Sequence, residues 1–174
     1  MQKFERYRPF MTRHYTLDWL TSVKLKEIYA LRSDARIAAA QNRAIDTTIE
    51  TSAHYVNRAM ARVLSDQALL YAVSDWHDGA LVATLSFDNF LPDDSAATIA
   101  VASMPDSDTA ALAEVVPRML GFAVHELGLK RLQAVHIVTD ADREVFLQNH
   151  FAPLPDGSLL LTAADIMHDA RYEY

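Results

Sequence analysis

Hydrophobic positions change period several times along the chain, and each change predicts a new element. His14 to Leu20 alternates apolar and polar residues among β-formers, which predicts a strand. Thr21 and Ser22 offer N-caps for a helix carrying Leu25, Ile28 and Leu31 at helical spacing, expected to run through Ile37 to Ala40. A second helix is expected after a Thr51-Ser52 cap, with Val56, Ala59, Met60, Val63 and Leu64 forming one apolar stripe. The period then falls to two: Leu69 to Val73 and Leu81 to Phe87 flank Asp78-Gly79, a dipeptide suited to a hairpin turn, which predicts an antiparallel pair.

After a turn at Pro92 to Ser95, Ala97 to Ser103 reads as another strand. Leu112, Val115, Val116, Met119, Ala123 and Leu127 then form one helical face, stopped at Gly128; Pro117 within it predicts a kink or a late start. Leu132 to Val138 is expected as a strand, Thr139 to Asp142 as a capping box opening a short helix to Asn149, and residues 151–154 and 158–162 as a terminal β-pair. The order is β-α-α-β-β-β-α-β-α-β-β, an α/β (α+β) fold of about seven strands. Residues 1–13 are set apart as an N-terminal arm and 14–174 as a single domain, with an aromatic tail, Arg171 to Tyr174, read as a frayed end.

Composition narrows the function classes. A chain of 174 residues with 51% hydrophobic and 22% charged residues fits one ordinary globular domain. A formal charge of −7 excludes a broad nucleic-acid surface, and the basic cluster Lys3, Arg6, Arg8 and Arg13 reads as a solvated arm. The longest apolar runs fall far short of the ~20 residues needed to cross a bilayer, and no apolar segment suited to a secretory signal follows Met1. There is no cysteine, hence no disulfide, thiolate ligand or cysteine nucleophile. A cytoplasmic protein without a membrane partner is expected.

Candidate chemistry is sparse. The seven histidines show no metal-ligand spacing, so no metal is expected. His136, inside an expected core strand, is either a general base or a hydrogen-bonded sheet histidine. Ser103 is either an orienting hydroxyl or a strand-ending turn serine, and Glu114 early in a helix complements the helix dipole. Pro105 to Thr109 reads as a turn and a capped helix start. With four glycines in all, no nucleophile elbow, Walker loop or dinucleotide fingerprint is present.

Several segments carry a resemblance. Leu31-Arg32-Ser33-Asp34-Ala35-Arg36-Ile37, Glu114, Gly128-Leu129-Lys130-Arg131, and Ala141 through Val145 to Phe151 resemble the GNAT acetyltransferase superfamily, in its branch acting on ribosomal-protein N-termini and small amines. The resemblance spans roughly residues 14–163. It implies a mostly antiparallel mixed sheet with flanking helices, in which Ala97–Ser103 and Leu132–Val138 are neighbours that diverge towards Ser103 and Val138. It also implies an N-acetyltransferase moving an acetyl or other acyl group from acyl-CoA to a small-molecule amine or protein N-terminus, and a homodimer.

By the same resemblance the acyl-CoA would meet Val101, Ser103, Ser107, Asp108, Thr109, Ala110, Ala111, Thr139 and Arg143. The family's pyrophosphate loop, Q/R-x-x-G-x-G/A, aligns Pro105 with its first residue, Asp108 with its first glycine and Ala110 with its last small residue; only Ala110 conforms. A carboxylate ~4 Å from a phosphate oxygen costs about 1 kcal/mol in water and about 4 kcal/mol at an effective dielectric of 20. Phe146 stands where many members have a proton-donating tyrosine, and His150 where a glycine is usual. The alternative is a GNAT-fold binding or regulatory module without productive CoA binding.

Overall fold

The computed structural model describes residues 3–105, 107 and 109–174. One sheet is built from β1 (Phe10–Met11), β2 (Tyr15–Trp19), β3 (Leu69–Asp75), β4 (Leu81–Asp88), β5 (Ala96–Ser103), β6 (Arg131–Ala134), β7 (Ala152–Pro153) and β8 (Leu159–Thr162). Its order is β1-β2-β3-β4-β5-β6-β8-β7, antiparallel throughout except where β5 lies parallel to β6. Along β4, Leu81, Ala83, Leu85 and Phe87 are buried while the residues between them are half-exposed. Register places Leu85 opposite Val101 and Phe87 opposite Ile99, so these side chains share one face. Leu69 to Val73 of β3 are buried on both faces, which is why β3 reads as a continuous apolar run.

The helices are α1 (Leu25–Arg32), α2 (Ala35–Ala40), α3 (Ile49–Leu64), α4 (Ala110–Gly121) and α5 (Asp140–Leu147). On one side α3 packs on β3 and α1; on the other α4 packs on β4 and α5. The helix expected over 25–40 is two helices, because the Asp34 carboxylate accepts from Arg36 N and Ile37 N and so caps a new start. Helix α3 begins before the expected Thr51-Ser52 cap, with Thr48 Oγ1 accepting from Thr51 N. Helix α4 starts at Ala110 despite Pro117 and runs into a wide turn, Phe122 to Glu126, closed by Leu127 N donating to Phe122 O at 3.1 Å. Gly128, at φ +70°, ends it.

Three expectations need correction. The strand read over 132–138 stops at Ala134, because His136 takes φ +54° and turns the chain off the sheet. The segment set apart as an arm is packed: Phe4, Tyr7 and Phe10 are buried, β1 supplies the eighth strand, and Phe4 N donates to Asp66 Oδ1 at 2.8 Å. Phe10 meets the Phe122 ring at 4.7 Å between centroids. The tail read as frayed is also anchored. Tyr172 is fully buried, its hydroxyl donates to Asn149 Oδ1 at 2.8 Å, and its main chain lies against Gly121.

Candidate functional site: the opening between β5 and β6

Parallel pairing runs from Ala96 opposite Arg131 to Ile99 opposite Ala134, and one further bond joins Val135 N to Ile99 O at 3.0 Å. Beyond it β5 continues to Ser103 paired to β4 alone, with Ser86 opposite Ala100 and Ala83 opposite Ser103. The two strands therefore part in the direction expected, leaving one edge of Ala100 to Ser103 without a strand partner among the described residues. Helix α2 reaches this opening: His136 Nδ1 lies 2.9 Å from Ala40 O. A carbonyl only accepts, so Nδ1 carries the proton. His136 is thus exposed and on a loop, outside the core strand in which it was expected, and its contact ties α2 to the chain leaving β6.

Val101 is buried on β5. Ser103 Oγ, at the strand's end, is buried and has no hydrogen-bond partner among the described residues, an arrangement that native structures rarely leave unused. Asp108 lies outside the described residues, as does Asp106. Ser107 was expected to help cap α4. Its hydroxyl instead donates to Met104 O at 2.7 Å, and Thr109 occupies the cap position without a side-chain bond. The α4 ladder opens with Ala113 N donating to Thr109 O at 3.0 Å, which directs the amides of Ala111 and Leu112 to the helix's N-terminal end. Ala110 and Ala111 are small enough for close approach there. No Lys or Arg occurs between Ser103 and Pro117, so an anion at this loop would rest on main-chain donors and the helix dipole.

Thr139 caps α5 as expected: Asp142 N donates to Thr139 Oγ1 at 3.0 Å, and the buried Asp142 carboxylate lies beside Thr139. Thr139 is therefore engaged within α5. Asp142 is buried and its Oδ2 has no partner among the described residues; burial raises its pKa, only partly offset by Thr139. Arg143 donates to Gly157 O at 2.8 Å and is held by the turn between β7 and β8. Glu114 does more than complement a dipole. It accepts from His14 N at 2.9 Å, from the Thr12 hydroxyl and, at 2.6 Å, meets His14 Nδ1. Burial would raise its pKa, but these bonds outweigh burial and hold it below the usual carboxylate value.

A polar group that single-sequence reading missed lies on the α3 side of the sheet. Gln41, Tyr55, Thr84, Ser86 and Ala100 line a cavity of about 40 Å³. Behind it, buried Arg32 grips buried Asp46 through Nε at 2.6 Å and Nη2 at 3.2 Å, Ser52 donates to Asp46 Oδ2 at 2.8 Å, and the Arg32 guanidinium stacks 3.7 Å from the centre of the Tyr55 ring. Its members come from five elements and loops with no shared spacing. The only sequence signal was the polar alternation of β4, which put Thr84 and Ser86 on one face. Among the described residues, no group of three or more His, Cys, Asp or Glu is placed to hold a metal ion, and no helix is long and apolar enough to cross a membrane.

No family model and no curated protein sequence matches the chain. Solved structures do. A GNAT-family acetyltransferase from Bacillus anthracis superposes with a TM-score of 0.72 at 13% identity, covering 90% of this chain and 99% of its own. Spermidine N-acetyltransferase from Vibrio cholerae, solved with CoA and spermine, gives 0.72 at 12% identity over 88% and 98%. RimL, a ribosomal-protein alpha-N-acetyltransferase solved with coenzyme A, gives 0.70 at 14% identity over 89% and 98%. With a mixed, mostly antiparallel sheet that opens between β5 and β6, the chain has the fold of the GNAT acetyltransferases.

Proposed function

We propose that the chain transfers an acyl group from acyl-CoA to a primary amine at the opening between β5 and β6. The observation that carries this reading is the Ser103 Oγ at the mouth of that opening, which has no partner among the described residues. Structural neighbours solved with CoA support acyl-CoA as the donor. In the reaction the amine nitrogen attacks the thioester carbon. A C–N bond forms and the C–S bond breaks. The proton lost from nitrogen balances the one gained by the departing sulfur, giving an amide and free CoA. Ser103 would donate to the thioester carbonyl oxygen, where charge develops, and the α4 amides would face the pyrophosphate. Phe146 has no proton to give, so the departing thiolate takes its proton from elsewhere.

A second reading, a binding module without productive CoA chemistry, is favoured by the loop itself: it lacks any basic residue, it carries two aspartates, and Ser107 is already bonded to Met104 O. Titration calorimetry with acetyl-CoA separates the two. Binding with release of free thiol on adding amines is expected for the transferase. A ligand at 100 times its dissociation constant adds about 2.7 kcal/mol of stability, so a thermal scan that does not move in millimolar acetyl-CoA would end the transferase reading.

A further inference from the structure

We infer that the acceptor amine also carries a carboxylate, and that the cavity lined by Gln41, Tyr55, Thr84 and Ser86 binds it; this inference rests on the acyl-transfer reading. The cavity presents donors without competing partners. The hydroxyls of Tyr55, Thr84 and Ser86 have no hydrogen-bond partner among the described residues, and burial pushes the Tyr55 phenol up, which keeps its proton in place. The amide of Gln41 is oriented as well. Its Oε1 accepts from Arg43 Nε at 2.7 Å, and a guanidinium cannot accept, so the Gln41 NH₂ faces away from Arg43. At about 40 Å³ the space suits a group of a few non-hydrogen atoms.

Charge selects an anion. Among the described residues two cations, Arg32 and Arg43, stand behind the cavity with one carboxylate, Asp46, which is occupied by Arg32 and Ser52. Arg43 Nη2 is buried without a partner among the described residues, and the Arg43 pKa is lowered by burial and by Arg32, both signs of uncompensated positive charge. Among the described residues no Asp or Glu lines the cavity, so a polyamine would find no counterion there. Ala100 and Val101 form its edge on β5, at the point where β6 has left. Ser103 is ~10 Å along the strand from Ala100 and on the opposite face of the sheet from it, and the missing strand joins the two faces. That separation is on the scale of an amino acid.

The test uses the full chain, with each protein amino acid and, separately, putrescine and spermidine, at millimolar concentration. Thermal scans and calorimetry are run with and without CoA, and thiol release is followed with acetyl-CoA. At least one amino acid should bind saturably and neither polyamine should. Gln41→Glu keeps an acceptor for Arg43 but brings a carboxylate to the cavity, and should weaken amino-acid binding roughly tenfold or more. Polyamine binding, no amino-acid binding, or equal affinity in Gln41→Glu would each overturn the inference. Amino-acid binding without acetyl-CoA binding would leave the cavity's chemistry standing and refute acyl transfer. Thiol release supported by polyamines alone would leave acyl transfer standing and refute the carboxylate.

Discussion

Gly121→Ala should destabilise the protein, although the same change in most helices stabilises them. Gly121 sits at the end of α4 with helical dihedrals, so alanine meets no backbone penalty there, and propensity alone favours it by about 1 kcal/mol. The added Cβ, however, would lie well inside van der Waals contact of Tyr172 O and 3.1 Å from Tyr172 C. Both are main-chain atoms, which cannot rotate away as a side chain would. The strand of chain carrying them is held by the buried Tyr172 ring and by its bond to Asn149. Overpacking of this kind costs ~1–3 kcal/mol, and with a rigid obstacle the upper end applies. The net loss is about 1–2 kcal/mol, or ~2–8 °C in melting midpoint for a chain of this size. Urea denaturation of the two proteins measures it. In a chain ending at Asp169 the obstacle is gone and the sign should reverse. An unchanged or raised stability in the full-length variant would refute the close approach of tail and helix.

Asp46→Asn should cost ~3–5 kcal/mol at pH 7, since it leaves the Arg32 charge buried without a counterion; urea titration would show otherwise if the loss were below 1 kcal/mol. Burial pushes Asp46 up, but the bonds from Arg32 and Ser52 outweigh it and hold its pKa below 3.8. Its contribution is therefore complete above pH 3.8 and is lost as pH falls through the lower folded value, so the stability of the Asn variant should depend less on pH in that acid range. Asp142→Asn has the opposite sign. With a pKa raised above 3.8 by burial, the carboxylate costs nothing below 3.8 and its full penalty appears once pH exceeds the folded value, so the variant should gain ~1–3 kcal/mol at pH 7 and nothing near pH 3. A loss at pH 7 measured by denaturation would count against an unpaired buried charge there.

How much of this was legible can be judged element by element. The alternation of β4 and the Thr139 cap were written in neighbouring residues, and both formed where expected. The end of β6 was not. Val135, His136, Ile137 and Val138 continue a strand-like composition, and what stops the strand is a left-handed residue bonded to Ala40, 96 positions away. The N-terminal segment did carry a signal in Phe4, Tyr7 and Phe10, three apolar residues at equal spacing, but partners such as Tyr71 in β3 and Phe122 in the wide turn after α4 lie too far along the chain for local periodicity to reveal. At the site, the divergence of two strands and the place of Ser103 followed from the resemblance. The donor-lined cavity did not, because Gln41, Tyr55 and Thr84 meet only after the sheet and α3 have packed. Asp108, on which the sharpest reading of the loop rested, lies outside the described residues.

The hydrogen bond from His136 to Ala40 O makes unequal demands on its two ends. Position 40 contributes only a carbonyl that every amino acid possesses, so its side chain is free to drift provided that α2 persists. Position 136 must supply a side-chain donor of the right reach from a backbone at φ +54°, a conformation that asparagine tolerates and β-branched residues resist. One side of the opening is thus secured by an anonymous backbone atom and the other by a narrow choice of residue. Homologous chains that keep this opening should vary freely at 40 and alternate between histidine and asparagine at 136.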